Sequence, residues 1–443
     1  MKKDTVCIIS LGCAKNTVDS ESMAQVLGRD GFKLVEEPAR AEVVVVNTCG
    51  FIGDARDESY AVLQELSETK QPGQLLIAAG CLTQRYREDV ARKLPGIDGM
   101  LGTRRWMDVA QVVRALRQTR PAKTLYHLPE VPSSGGEVDG VLRTAVQGGS
   151  AYLKIADGCR RPCAFCAIPL IKGLPASRPV ESIVTEVKTL RDSGVNEVVL
   201  IAQDTTDYGT DLGMTDGLAS LLDKVTRAVP DLPWLRVMYA YPGFVTDQLI
   251  DIMASRPQIL HYLDIPLQHG HPDTLKRMKR PHNLDWVRNT LRKMRDAMPD
   301  LAIRSTFIVG YPGETEAEFS ALLDFMREIR LDRAGAFTFS FEPGTASEPL
   351  GDPIPAEVKQ ERLKRFMEVQ EQISLEKNQA LVGKTLRVLV EGAGDGITVG
   401  RTYRDAPEID GLVICPGETE TGSFIQVRID AAMAHDLSGQ LAD

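Results

Sequence analysis

Cys159, Cys163 and Cys166 have the spacing C-x3-C-x2-C and sit in a Pro-containing loop directly behind the apolar run Ala151–Ala156. Thiolates in such a cluster are natural ligands of an iron–sulfur centre, and a four-iron cubane has four irons to fill. The loop offers three ligands, which leaves one iron open to bind something else. A zinc ion would want a fourth protein ligand nearby, and no His or Cys follows closely. Zinc and inert buried thiols are the alternative readings.

Three further cysteines each follow a short apolar run: Thr5–Ser10 before Cys13, Glu42–Val46 before Cys49 and Leu75–Ala79 before Cys81. Apolar strands separated by amphipathic stretches predict an open parallel sheet with both faces covered. The loops after the carboxyl ends of such strands share one edge, which is where ligands bind. The three cysteines are therefore predicted to converge on a second three-thiol site, again with one open iron. Coincidence of position is the alternative. Cys7 and Cys415 lie inside apolar runs and read as small core residues.

The elements needed to hold these loops follow along the chain. From 151 to about 345, six strand-like runs (151–156, 197–202, 234–240, 261–266, 302–309 and 335–341) alternate with helical stretches. That alternation predicts a partial (βα)6 barrel with its chemistry at the C-terminal strand ends. The polar clusters Gln203–Thr206, Tyr241–Gly243, Gln268–His269 and Val309–Glu314 fall there. One long helix is predicted over 355–382, with Pro355 at its start and Gly383 at its stop. Residues 384–443 read as a small all-β barrel, built from short β runs split by Gly and Pro turns. The fold class is α/β, in four parts: an open parallel α/β domain over 1–125, a linker over 126–148, the barrel and its following helix over 149–375, and the β barrel over 376–443.

Composition sets the surroundings. With 443 residues, 43% hydrophobic and 26% charged, the chain has an ordinary globular balance. The first residues carry too short an apolar run for a signal peptide, and no run approaches a membrane span. A cytoplasmic protein without structural disulfides is the expectation. The net charge of −9 argues against a broad nucleic-acid surface. In 384–443 five basic residues face ten acidic ones. That imbalance predicts a domain that captures a basic protein partner and can be removed without disabling the barrel.

The loop around Cys159, with Phe165 just before its last cysteine, resembles the signature of the radical S-adenosylmethionine (SAM) superfamily. The whole chain, from three-cysteine N-terminal domain to radical SAM barrel to small C-terminal TRAM barrel, resembles the methylthiotransferase family. Four motifs point to the branch that modifies a ribosomal protein: Ser10–Glu21, Asn47–Ile52, Tyr262–His269 and Ile303–Gly310. The branch acting on tRNA adenosine, typically with Gln-Met-Asn after its first cysteine, is the alternative. The resemblance implies two 4Fe-4S clusters, on Cys13/Cys49/Cys81 and on Cys159/Cys163/Cys166. It implies one SAM as methyl donor and a second as radical source. The target is an aspartate β-carbon in small ribosomal subunit protein twelve, free or on the ribosome. An electron donor such as flavodoxin and a sulfur source are implied partners; tRNA and membrane are not.

By barrel position, the same resemblance places Phe165 beside the adenine of SAM. It places Gln203 and Asp204 near the methionine amine, and Gly310 and Gly313 in a backbone-contacting segment. One departure is visible. The basic stretch that usually follows the cluster loop is Lys172-Gly-Leu-Pro-Ala-Ser-Arg178 here, with Ala176 at its middle basic position. If that segment touches substrate, its contacts differ. A two-cluster electron carrier and an RNA-binding module with structural clusters are competing readings, and a full barrel is more chain than electron transfer needs.

Overall fold

The structure is a computed structural model that describes residues 4–119, 123–130 and 137–442. The runs Thr5–Ser10, Val43–Thr48 and Leu75–Gly80 are neighbouring strands in a six-stranded parallel sheet. The β-branched run Val43–Val46 suits a strand buried on both faces. Val43 and Val45 enter one core with Ile77 and Ala79, while Val44 and Val46 enter the other with Leu76 and Ala78. Cys7 lies in the second of these cores, as predicted. Ser10 pairs with Asn47, and Asn47 with Ala79. The three strands therefore end level, and their loops leave from one edge. Lys33–Leu34, Gly99–Gly102 and Leu125–His127 complete the sheet. These runs are too short to carry a period and were not foreseen.

The second sheet has seven strands. Ser150–Lys154, Glu197–Ile201, Trp234–Val237, Ile259–Asp264, Ala302–Val309 and Arg333–Thr338 lie side by side in sequence order, all parallel. An antiparallel edge strand, Thr144–Gln147, precedes them. It falls in the predicted linker and corrects that reading. Gly148 and Gly149 form a two-residue hairpin loop, a signal the sequence does carry. Linker residues 131–136 lie outside the described residues, and the strand Leu125–His127 enters the linker from its other end. Leu153, Val198, Leu200, Leu235 and Leu263 face the outer helices, while Tyr152, Val199, Ile201, Trp234 and Tyr262 face the concave side. The predicted long helix is Ala356–Gln379; it buries Phe366 and Ile373, and Gly383 follows at φ +85°.

Residues 385–441 close into a five-stranded barrel, and Cys415 is in its core. The last strand, Leu437–Leu441, escaped prediction because Leu-Ser-Gly-Gln-Leu is poor in β-branched residues. This barrel is no detachable module. Leu389 and Ala406 cover the concave face of the large sheet. Fully buried Glu197 accepts from Arg236 of the sheet (2.7 Å) and from Arg401 of the small barrel (2.6 Å). Arg333 pairs with Asp405 at 2.7 Å and Arg304 with Asp410 at 3.3 Å. Deletion of 384–443 would leave buried Arg333 without a carboxylate and Glu197 with Arg236 alone, a cost to the large sheet that the sequence does not show. The acidic count is also partly spent, since Asp405 and Asp410 neutralise arginines of the sheet. Among the described residues, no helix is long and apolar enough to cross a membrane.

Candidate active site

All eight cysteines are free. Cys13, Cys49 and Cys81 leave the level strand ends and meet. A Cβ on Gly12 would come within 3.2 Å of Cys49 Sγ, and one on Gly50 within 2.7 Å of the Leu82 backbone beside Cys81. Only glycine lets these loops approach so closely. Two asparagines tie them together. Asn16 Nδ2 donates to the carbonyls of Leu11 (2.9 Å) and Thr48 (3.1 Å), and Asn47 Nδ2 donates to that of Asn16 (2.8 Å). Asn16 was missed as a site residue, although it stands three positions after Cys13 and is almost fully buried. Cys13 is exposed, whereas Cys49 and Cys81 are buried. Burial pushes the Cys81 thiol up to about 12, and its neighbours Cys49 and Cys13 push the same way.

The loop of Cys159, Cys163 and Cys166 follows the first parallel strand of the large sheet. Burial pushes Cys159 up to about 11 and Cys166 up to about 12, with Cys163 adding to both. Cys159 Sγ accepts from the Arg161 backbone N–H (3.4 Å) and Cys163 Sγ from Arg280 Nη1 (3.4 Å). Arg280 stacks on Tyr241, 4.1 Å from its ring centroid, and has no carboxylate in ion-pairing range among the described residues. Sequence reasoning missed Arg280, because only the fold returns it to the loop.

The two trios are neighbours. Cys81 packs against Ala167, the residue after Cys166, and against Ile171. Arg85 reinforces the seam, with Nη1 donating to Gly50 O (2.9 Å) and to buried Glu342 of the large-sheet unit (2.6 Å). A buried charge network lies beside it. Asp19 accepts from Arg143, from Lys154 (2.5 Å) and from Lys172 (3.3 Å), and Asp157 is shared by both lysines. Burial alone would raise the Asp157 carboxyl, but Lys154, Lys172 and Arg143 outweigh it and hold it far below the usual range. Lys172 and Arg178 are thus structural. Lys172 is 1% exposed, and Arg178 is bound to Glu186 (2.6 Å) and Glu137. Neither cation is free for a substrate.

The other predicted residues do line one rim. Phe165 packs on Met278, Tyr311 and Phe339. Gln203 Oε1 accepts from Gly158 N–H (2.9 Å), steering the turn into Cys159. Asp204 is engaged by Arg161 (2.5 Å) and caps the turn at Thr206. Gly310 and Gly313 have φ of +72° and +79° at the end of Ala302–Val309. Gly310 N–H donates to Glu314 (3.0 Å), which Arg362 also holds (2.9 Å). Buried His269 stands behind, its Nε2 3.4 Å from Glu314.

The donor sets fit iron–sulfur clusters. Each is three free thiols, and burial favours the neutral form of Cys49, Cys81, Cys159 and Cys166 until positive charge arrives. The unpaired guanidinium of Arg280 also rests on one of the sulfurs. Among the described residues, no three His, Cys, Asp or Glu side chains gather closely enough to share one metal ion.

Comparison with known proteins adds three family matches. Residues 5–102 match "Uncharacterized protein family UPF0004", residues 153–326 the radical SAM superfamily, and residues 382–441 the TRAM domain. The ribosomal protein uS12 methylthiotransferase RimO of Roseiflexus sp. is 47% identical, covering 98% of this chain and 97% of its own. The RimO of Chloroflexus aurantiacus is 46% identical, covering 98% of each. A solved structure of the radical SAM methyltransferase TsrM from Kitasatospora setae shares the fold. Its TM-score is 0.58 at 14% identity, over 90% of this chain and 81% of that one.

Proposed function

The chain belongs to the ribosomal protein uS12 methylthiotransferase (RimO) family, and from that premise we propose that it adds a methylthio group to the β-carbon of an aspartate in uS12. The observation that carries the reading is the juxtaposition of two three-thiol sites across one seam, with Cys81 packed on the residue next to Cys166. Cys159, Cys163 and Cys166 would hold one 4Fe-4S cluster and Cys13, Cys49 and Cys81 another. When bound, these groups and SAM would supply a methyl group from one SAM, a 5′-deoxyadenosyl radical from a second, and a site for the sulfur. A radical suits the task, because general acid–base catalysis contributes only about 10²–10⁴-fold and the carbon is a very weak acid.

The protein's own part is to bind and aim. Phe165, Gly310 and Gly313 would line the adenine side of SAM, and Gln203 and Asp204 the methionine side. The Glu314–Arg362 pair, with His269 behind it, fixes the backbone of the Gly310 turn. Arg280 Nη1 donates to Cys163 Sγ (3.4 Å), and the Tyr241 hydroxyl lies 3.8 Å from the same sulfur. A division at 1–125, 126–148, 149–375 and 376–443 belongs to this reading, as do a cytoplasmic setting, a flavodoxin-like electron donor and a separate sulfur source.

The tRNA alternative asks for phosphate-binding cations on the C-terminal barrel. Two of its five, Arg401 and Arg404, are instead buried in ion pairs with Glu197 and Asp332. Mass spectrometry of uS12 after incubation with reduced enzyme, SAM and sulfide tests the proposal. A methylthio group on one aspartate is expected. Unmodified uS12 alongside methylthiolated tRNA would overturn it.

A further inference from the structure

We propose that Lys15 binds the side-chain carboxylate of the target aspartate, an assignment that rests on the function proposed above. Lys15 stands two residues after Cys13, the one exposed thiol of its trio. Its ammonium lies 3.1 Å from the ring centroid of Tyr239. Tyr239 follows the strand Trp234–Val237 at the C-terminal rim of the large sheet, where its carbonyl accepts from Thr205 N–H (3.0 Å) just past Gln203 and Asp204. Lys15 therefore bridges the space between the N-terminal trio and the rim on which the SAM residues are placed. The reacting carbon has to stand in that space.

The other cations of this seam are committed, Arg280 to Cys163 Sγ and the Pro266 carbonyl and Arg104 to the carbonyls of Lys172 and Leu174. Lys154, Lys172 and Arg143 are held by Asp19, Arg304 by Asp264 (2.9 Å), and Arg161 by Asp204. Lys15 is the exception. Among the described residues it has no hydrogen bond and no carboxylate within ion-pairing distance; its contact is the face of Tyr239. A cation–π contact contributes about 0.5–2 kcal/mol but leaves the three ammonium donors unfilled. The ring is held there at a cost. Tyr239 has φ +63°, a conformation uncommon for a bulky side chain, with its N–H on Asp264 Oδ2 (3.2 Å).

The chemistry matches. In an aspartate the reacting β-carbon bears the carboxylate directly, so an anchor on that carboxylate fixes the β C–H relative to both trios. Lysine does this as a compact charge with rotatable donors. It also sets specificity, because an asparagine of the same shape brings no charge to meet the ammonium. The plain alternative is a lysine that only packs the seam.

The test uses the full-length reconstituted enzyme with uS12 and with a uS12 variant in which the target Asp is replaced by Asn. Wild type is expected to bind the aspartate form about 10–100-fold more tightly, the span of a hydrogen bond to a charged group. In Lys15→Met that preference is expected to collapse towards one, with kcat/KM for methylthiolation falling in step and iron content unchanged. Lys15→Arg is expected to restore much of it. Undiminished Asp-over-Asn preference in Lys15→Met, or loss of its iron, overturns the assignment and leaves a structural lysine. A wild type that modifies no uS12 overturns the function proposed above, and the assignment with it.

Discussion

The two cysteine trios are assembled by opposite routes. Cys159, Cys163 and Cys166 come from one loop, and two of their sulfurs accept N–H donors, from Arg161 and Arg280. Cys13, Cys49 and Cys81 come from three strand ends, and the buried Cys81 has only long contacts of 3.8 Å, to Asn16 and Thr103. Hydrogen bonds and positive charge at sulfur favour added negative charge and raise a cluster's potential. On the proposed function the loop trio would take the electron, and it is assembled locally. The strand-end trio leaves Cys13 exposed, gives Cys81 only long contacts, and depends on a whole sheet and a seam.

The largest effect is expected where the electron arrives. Replacing Cys159, Cys163 and Cys166 by Ala should abolish 5′-deoxyadenosine formation and leave about half the iron, taking one of two clusters as lost. Full deoxyadenosine yield in that variant would break the comparison. Replacing Cys13, Cys49 and Cys81 should remove all methylthiolated product and a similar share of the iron, yet spare SAM cleavage. Product from this second variant would reduce the strand-end thiols to structural residues.

Sequence pattern shows most of this contrast and hides its supports. The strand-end cysteines are legible because Val43–Val46 and its neighbours are continuous apolar runs, and parallel strands fix which edge their loops share. The loop trio is legible from spacing alone. What pattern could not show is partnership across the chain. Lys172 and Arg178 look like a basic surface stretch, but Asp19 and Glu186 draw them inside. Arg280 lies 117 positions from Cys163, and only the fold of the barrel brings them together. Thr144–Gln147 escapes the pattern, because Gly148-Gly149 marks a linker as readily as a hairpin turn.

A smaller, graded effect should sharpen the contrast. Asp19 is 2% exposed and holds Arg143, Lys154 and Lys172 against the N-terminal sheet. Asp19→Asn leaves those three cations to share Asp157 alone, and breaking a buried pair costs about 3–5 kcal/mol. The damage falls on the seam that aligns the strand-end trio, not on the loop itself. Methylthiolation should therefore drop more than SAM cleavage, measured in the same samples. Equal losses would mean that the loop trio needs the seam as much as its neighbour does.

The smallest effect is expected at the seam that touches neither trio. Glu197 joins the large sheet to the C-terminal barrel through Arg236 and Arg401. Burial would raise its carboxyl, but Arg401 and Arg236 outweigh burial and bring it down to about 2. Its folded pKa is thus below its unfolded one, about 4.3. The stability this group adds, about 3 kcal/mol at 1.36 kcal/mol per pKa unit, is fully present above pH 4.3 and is lost as pH falls through 2. Trp234, edge-on to Phe424 at 4.8 Å, lies at this seam and reports its opening. Denaturant titrations followed by Trp fluorescence should show Glu197→Gln weaker than wild type at pH 7, with the gap closing as the pH drops below 4. Both activities should change together in this variant, because the seam is equally indifferent to the two trios. A selective loss of methylthiolation there would mean that the C-terminal barrel helps to seat the strand-end trio, and the contrast would have to be redrawn around three domains rather than two.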